Sequence, residues 1–231
     1  MAIKEYSYKK HKDLYCSAHT KVKEMRSKDG SDKVLVSSIL MEKIEELFSR
    51  LHCSKYIITS GYRTPQYDVK VGGNGIGQHT LGKAVDAKFY DKNGKIIPAQ
   101  VVCCVAQDVG FAGIANISAA YKSVHLDVRA GKKYFGDEIF GTNSVTTDFY
   151  KYFSITKADV ARYTGEKTDC FPKYSGKTVS IVSALRAVGA EHCFDYRFEI
   201  AAANGVEDYS GTAKQNGEML SLLKKGVLKK P

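Results

Sequence analysis

Gln78-His79-Thr80-Leu81-Gly82-Lys83-Ala84-Val85-Asp86 and, further on, Ser123-Val124-His125-Leu126-Asp127-Val128-Arg129 are the stretches whose reading decides the fold. In the second, Val124, Leu126 and Val128 alternate with His125, Asp127 and Arg129. A strand sends alternate side chains to opposite faces, so one face is apolar and suits a core. The other presents an imidazole and a carboxylate about 7 Å apart along the backbone. Ala84 to Tyr90 repeats the device: Val85, Ala87 and Phe89 share one face, Asp86 and Lys88 the other. Two such strands can meet over one ion. Two histidines and two aspartates, His79, Asp86, His125 and Asp127, are then available, and three N/O ligands with an open fourth position are what a catalytic zinc needs to acidify a water. The competing reading is a set of ordinary His–Asp hydrogen bonds. Glycines around His79 and the absence of any Cys-x-x-Cys pair favour the metal.

Outward from these stretches the pattern is mixed. Apolar residues at helical spacing (Ile39, Leu40, Ile44, Leu47, Phe48) predict a scaffold helix over Val36 to Leu51. Lys55 to Ser60 reads as a strand feeding a Gly61-Tyr62-Arg63 turn, and Val71 to Gly77 as a flexible glycine-rich approach to His79. Pro98 opens a helix to about Asp108, and Gly110 to Ser118 and Lys122 to Arg129 read as two more strands. Strands and helices without regular alternation predict an α+β fold. Residues 1 to about 30 read as a polar, lysine-rich wrap. From Thr142 the composition turns loop-like, which predicts a domain over 1–141, a linker over 142–172 with a short helix near Lys157 to Arg162, and a three-helix domain over 173–231. The tail helices are expected at about Val179–Val188, Phe194–Asn204 and Thr212–Lys225. Ile181, Leu185, Ile200, Ala201, Met219, Leu222 and Leu223 are their expected core. About 60 residues suffice for a marginal independent domain.

At these residues the chain resembles a known family, the zinc peptidases that include D-Ala-D-Ala carboxypeptidases and L-alanyl-D-glutamate endopeptidases and to which many phage endolysins belong. The resemblance runs from about Lys23 to Glu138. It rests on Lys28-Asp29-Gly30-Ser31-Asp32, Thr59-Ser60-Gly61-Tyr62-Arg63-Thr64-Pro65, Gly72-Gly73, Gln78-His79 through Gly82-Lys83-Ala84-Val85-Asp86, Val124-His125-Leu126-Asp127-Val128-Arg129 and Tyr134-Phe135-Gly136-Asp137-Glu138. It implies a small antiparallel sheet with flanking helices around a zinc site, the fold shared with hedgehog-type signalling domains. It implies Zn2+ bound by His79, Asp86 and His125, and Arg63 in the cleft holding a substrate carbonyl or carboxylate, a role that suits a planar guanidinium. Some branches place the general base three positions before the last histidine, where this chain has Lys122. Asp127 is then the candidate base, the alternative being that it orients a ligand or Arg63. Asp68 stands where relatives often have Asn, which touches a local turn contact. The tail is similar to small C-terminal modules of clostridial-type lysins through Lys173-Tyr-Ser-Gly, Ile200-Ala-Ala-Ala-Asn-Gly-Val, Tyr209-Ser-Gly-Thr-Ala and Leu222-Leu-Lys-Lys-Gly. That similarity implies wall targeting, with exposed Tyr174, Tyr196 and Tyr209 stacking on sugars or else rimming a small core.

The expected function is therefore zinc-dependent hydrolysis of an amide bond in peptidoglycan stem peptides, with bacterial peptidoglycan as partner. The alternative is a zinc-containing wall-binding protein without catalysis. Bulk numbers agree. The 231 residues are 43% hydrophobic with net charge +10, spread along the chain. A basic balance suits an anionic wall as well as nucleic acid, but no aromatic-interleaved basic motif for nucleic acid is present. No apolar run approaches the roughly 20 residues of a membrane span. The N-terminus has charge without an apolar core, so no secretory signal is expected. Synthesis in a host cytoplasm, with release through a pore to the wall, follows. Six cysteines without a paired motif read as reduced thiols, Cys103-Cys104 as core.

Overall fold

Residues that alternate apolar with polar from Ala84 to Tyr90 and from Ser123 to Asp127 form two adjacent strands of a five-stranded sheet. The computed structural model describes residues 2–118, 122–138, 146–165 and 169–231. It divides into two units, Met1–Phe153 and Ser154–Pro231. In the first unit the order is β1 (Ile3–Ser7), α1 (Tyr8–His11), a 3-10 turn (Val22–Met25), β2 (Lys33–Ser37), α2 (Ser38–Arg50), β3 (Lys55–Ser60), α3 (Pro65–Lys70), β4 (Ala84–Tyr90), α4 (Ala99–Val109), β5 (Gly113–Ser118), β6 (Ser123–Asp127), β7 (Tyr134–Asp137) and α5 (Phe149–Tyr152). The fold is α+β.

The main sheet has the order β3-β4-β6-β5-β7. Neighbours are antiparallel except β5 and β7, which are parallel. The sheet is therefore mixed rather than antiparallel throughout. The short segment 128–133 reverses the chain after β6, so β7 runs against β6. The place beside β6 is already held by β5, and β7 pairs with β5 in the parallel sense. A second, two-stranded antiparallel ribbon joins β1 to β2. β1 lies in the stretch expected to be a polar wrap, and its mostly exposed residues show no apolar alternation.

The apolar face of the sheet meets α4, which packs on β5, β6 and α2. Phe89, Ile114, Val124 and Leu126 are fully buried there, each contributing about 1.5–3 kcal/mol by leaving water. α2 starts two residues later than the spacing predicts, because Val36 and Ser37 finish β2. The Ser37 hydroxyl then accepts from the Leu40 amide at 3.4 Å as the helix cap. Cys103 and Cys104 are buried in α4. No helix among the described residues is long and apolar enough to cross a membrane.

The stretch expected to be a linker contains ordered elements. Phe149 of α5 is fully buried and stacks on Phe135 at 5.0 Å between ring centroids, inside the first unit. α6 (Lys157–Thr164) belongs to the second unit. Positions 142–145 and 166–168 of the expected linker lie outside the described residues. In the second unit α7 (Ile181–Ala187), α8 (Phe194–Ala203) and α9 (Ala213–Lys225) surround a core containing Ile181, Leu185, Ile200, Ala201, Met219 and Leu223, joined by Phe171, Leu220 and Leu228. Tyr209 is 6% exposed. Its hydroxyl donates to Asn216 at 2.7 Å and accepts from Arg197 at 2.9 Å, so it is a core residue and not a sugar platform. Tyr174 and Tyr196 are half-buried against the same core.

One glycine sets the path into β4. Gly82 has φ +66°, and a Cβ there would stand 2.5 Å from the Leu35 carbonyl oxygen. Its own carbonyl accepts from the Ser37 amide at 2.9 Å, locking the loop to the end of β2. Gly82→Ala is expected to lower the unfolding free energy by at least about 2 kcal/mol, because the left-handed backbone and the overlap both oppose a side chain. Urea denaturation of the variant against the parent protein measures this.

Candidate metal centre

Strand register brings the polar residues together. Ser60, Asp86, His125, Ala115 and Gly136 are successive partners across β3, β4, β6, β5 and β7. Asp86 and His125 are thus side by side on the face opposite the core. His79 reaches them from the turn before β4. Its Nδ1 lies 2.7 Å from the Gly61 carbonyl oxygen. A carbonyl only accepts, so Nδ1 carries the proton and Nε2 presents a lone pair. His125 Nε2 lies 3.0 Å from Asp127 Oδ2. That contact places the proton on Nε2 and leaves Nδ1 bare.

The two bare nitrogens and one carboxylate oxygen face one another. His125 Nδ1 stands 3.0 Å from Asp86 Oδ1, His79 Nε2 stands 3.3 Å from the same oxygen, and the two nitrogens are 3.2 Å apart. These three side chains form the metal-competent group among the described residues. Zinc at about 2.0–2.1 Å from each of four tetrahedral ligands separates those ligands by about 3.3 Å. The observed triangle matches that edge length, and the donor set is of the kind zinc takes. Three converging lone pairs in a buried place need a positive charge between them.

In the absence of metal that charge is a proton. Burial disfavours a charged His125, but hydrogen bonds to Asp127 and Asp86 outweigh it and push its pKa up to about 9. Burial also works against ionised Asp86, and the two histidines overcome it and hold that carboxyl well below the usual range.

The remaining polar groups hold this trio in place. Asp127 is fully buried, and burial is again outweighed by bonds from His125 and Arg129, which bring its pKa down to about 2. Its Oδ1 accepts from the Arg129 amide at 3.0 Å and from Arg129 Nε at 2.9 Å, and its Oδ2 from Arg129 Nη2 at 2.5 Å. Gly113 lies opposite on β5, where a Cβ would overlap the Asp127 carboxylate. Of the two roles expected for Asp127, base or orienting group, its contacts favour the second. It sits on the far nitrogen of His125, away from the metal-facing Nδ1, and its oxygens are taken by Arg129.

Arg63, expected to hold a substrate carbonyl or carboxylate, is bonded within the protein on three sides. Arg63 Nη2 donates to Asp86 Oδ2 at 2.9 Å, Nη1 to Asp68 Oδ1 at 3.2 Å and Nε to Ser60 Oγ at 2.9 Å. It holds one oxygen of Asp86 and so turns the other toward the histidines. Asp68, expected only as a turn contact, is buried and also accepts from the Gly75 amide at 3.0 Å. It ties the glycine-rich loop to Arg63, so this loop is anchored rather than a free approach. Beside the trio lies an open cavity of about 500 Å³. His79 and His125 line it, with Asp68 and Gln78 on the loop side and Arg129, Tyr134 and Glu138 on the other. The last three were part of recognisable motifs but had no role assigned. Their chemistry becomes visible only when β7 is placed next to β5.

The family model described as Peptidase M15 matches residues 11–127, a span that includes Arg63, His79, Asp86, His125 and Asp127. No curated protein matches the chain.

The raised pKa of His125 has a sign that can be tested. A group whose folded pKa exceeds its unfolded value of 6.5 contributes stability that is complete below pH 6.5 and lost as pH rises toward 9. With a chelator present, the melting temperature is therefore expected to fall between pH 6.5 and 9, and added zinc is expected to flatten that decline. Thermal melts across this range check it. A chelated protein equally stable at both ends would contradict the assignment.

Proposed function

The chain belongs to the M15 peptidase family of zinc metallopeptidases acting on peptidoglycan-type substrates, and from that premise we propose that it hydrolyses an amide bond in peptidoglycan stem peptides as an endolysin. The observation that carries this reading is the convergence of His79 Nε2, Asp86 Oδ1 and His125 Nδ1 within 3.0–3.3 Å beside an open cavity. His79, Asp86 and His125 would hold the zinc. Zinc bound there supplies a Lewis acid that polarises a carbonyl and acidifies water.

The chain's own residues prepare that position. The Gly61 carbonyl holds the proton of His79 on Nδ1, and Asp127 holds the proton of His125 on Nε2, so both imidazoles aim their other nitrogens at one point without turning, and an ion there would displace the proton of His125 Nδ1. Arg129 neutralises Asp127 and keeps it from turning. Arg63 fixes Asp86 through Oδ2 and leaves Oδ1 to the metal. The cavity receives an extended peptide across the two histidines. In this reading Asp127 and Arg63 are positioning residues. The protein is made in a host cytoplasm and meets the wall after release, where residues 173–231 act as a wall-binding module that raises the local enzyme concentration. The alternative of a wall binder without hydrolysis draws support from one observation, the commitment of Asp127 to Arg129, which removes it as a proton acceptor.

Mass spectrometry of purified peptidoglycan, digested with and without a zinc chelator, decides between them. New peptide termini that appear only with zinc establish the hydrolase and identify the bond, whereas intact stem peptides in the presence of zinc-loaded protein establish the binder. Asp127→Asn separates positioning from base catalysis. We expect zinc affinity to fall about 10–100-fold, as when a group behind a ligand is altered, with activity largely restored at saturating zinc. A loss of kcat at unchanged zinc affinity would return Asp127 to the role of base. His79→Ala is expected to abolish stoichiometric zinc binding, measured by metal analysis after dialysis.

A further inference from the structure

The wall of the cavity formed by β7 carries a negative charge that neither the metal group nor its supports use. Tyr134, Gly136 and Glu138 follow one another at every second position as the chain runs along β7 and leaves it. Gly136 lies in the same cross-strand row as His125, separated from it by Ala115. Two strand spacings put Gly136 about 10 Å from His125. Because Ala115 and Gly136 are both small, the Tyr134 side chain has room to lie across this row. A Cβ on Gly136 would stand 2.7 Å from the Tyr134 hydroxyl, so the phenol lies along the strand over the glycine. The hydroxyl then donates to Glu138 Oε1 at 3.0 Å. The Tyr134 ring stands edge-on to His125, with 6.4 Å between centroids. Glu138 is exposed, lines the cavity with both histidines, and has no cationic partner among the described residues. Arg129 lies over the Tyr134 ring, but its charge is compensated by Asp127.

We infer that Glu138, held by Tyr134, is a specificity site that takes an ammonium group on the substrate, such as the side-chain amine of a diamino acid in a stem peptide. This rests on the peptidase reading and adds the substrate chemistry. An extended chain advances about 3.3 Å per residue, so a site about 10 Å from the metal-facing residues meets a side chain about three residues from the bond held there. A carboxylate oriented by a phenol hydroxyl keeps its second oxygen for such a cation. Asp68 on the opposite wall does not compete for it, since its carboxylate is bonded to Arg63 and the Gly75 amide.

The test uses two synthetic stem peptides that differ only at the diamino residue, one with a free lysine amine and one with the amine acetylated. The full-length zinc-loaded protein is expected to favour the free amine by about fivefold in kcat/KM, the size of a partly exposed ion pair, mainly through KM. Glu138→Gln is expected to bring the ratio to about one, and Glu138→Asp to retain part of it, with zinc content unchanged in both. Calorimetric binding of the two peptides to chelator-treated protein should show the same preference and its loss in Glu138→Gln. A preference that survives Glu138→Gln, or a parent protein that treats the two peptides alike in binding, overturns the inference. If neither peptide nor purified wall is cleaved while the binding preference is present, the hydrolase reading fails and the ammonium site stands.

Discussion

Three electron-rich atoms pressed together out of water are the constraint around which the first unit is organised. Unpaired, His79 Nε2, Asp86 Oδ1 and His125 Nδ1 would repel one another in a medium that screens poorly. They stay within 3.3 Å because each side chain is gripped from behind. The grips are a backbone carbonyl, a guanidinium and a buried aspartate that is itself held by a second arginine. The backbone carbonyl is delivered with little slack: a Cβ on Gly61 would stand 2.7 Å from Met25 Cα, so the turn carrying that carbonyl lies directly on the 3-10 segment beneath it. A large share of the unit's irregular structure thus serves to aim two protons away from one point.

Register supplies the rest of the aim. Side chains alternate strictly along a strand, so a one-residue slip of β6 would turn His125 and Asp127 into the core and bring Leu126 to the metal face. The fully buried Val124 and Leu126 oppose such a slip. The core and the site are two readings of the same alternation, and each stabilises the register the other requires.

How much of this could be read from the chain depends on the range of the contact involved. The Ala84–Tyr90 and Lys55–Ser60 strands fall at the positions their periodicity indicates, and the helices at Ser38, Ala99 and along the tail lie within about two residues of theirs. These are local signals. His79, Asp86 and His125 were legible as a group because polar residues on an otherwise apolar strand stand out. The strand β1 was not, because its partner lies far along the chain and its residues are mostly exposed. The role of Asp127 stayed open between base and orienting group for a related reason: strand spacing places it on the same face as His125 but does not say which ring nitrogen it meets. Asp68 was undervalued because the arginine and glycine amide that it joins come together only in the folded loop.

The position of β6 has a further consequence. It lies between β4 and β5, yet it is made after both, and it carries a histidine 46 residues beyond His79. Until it inserts, β4 and β5 have no shared neighbour and the donor set lacks one member. Closing such a long loop is slow compared with forming α2 or α4. Ion capture is therefore a late event that coincides with completion of the sheet, and a nascent chain stopped before residue 125 has no complete trap for the ion.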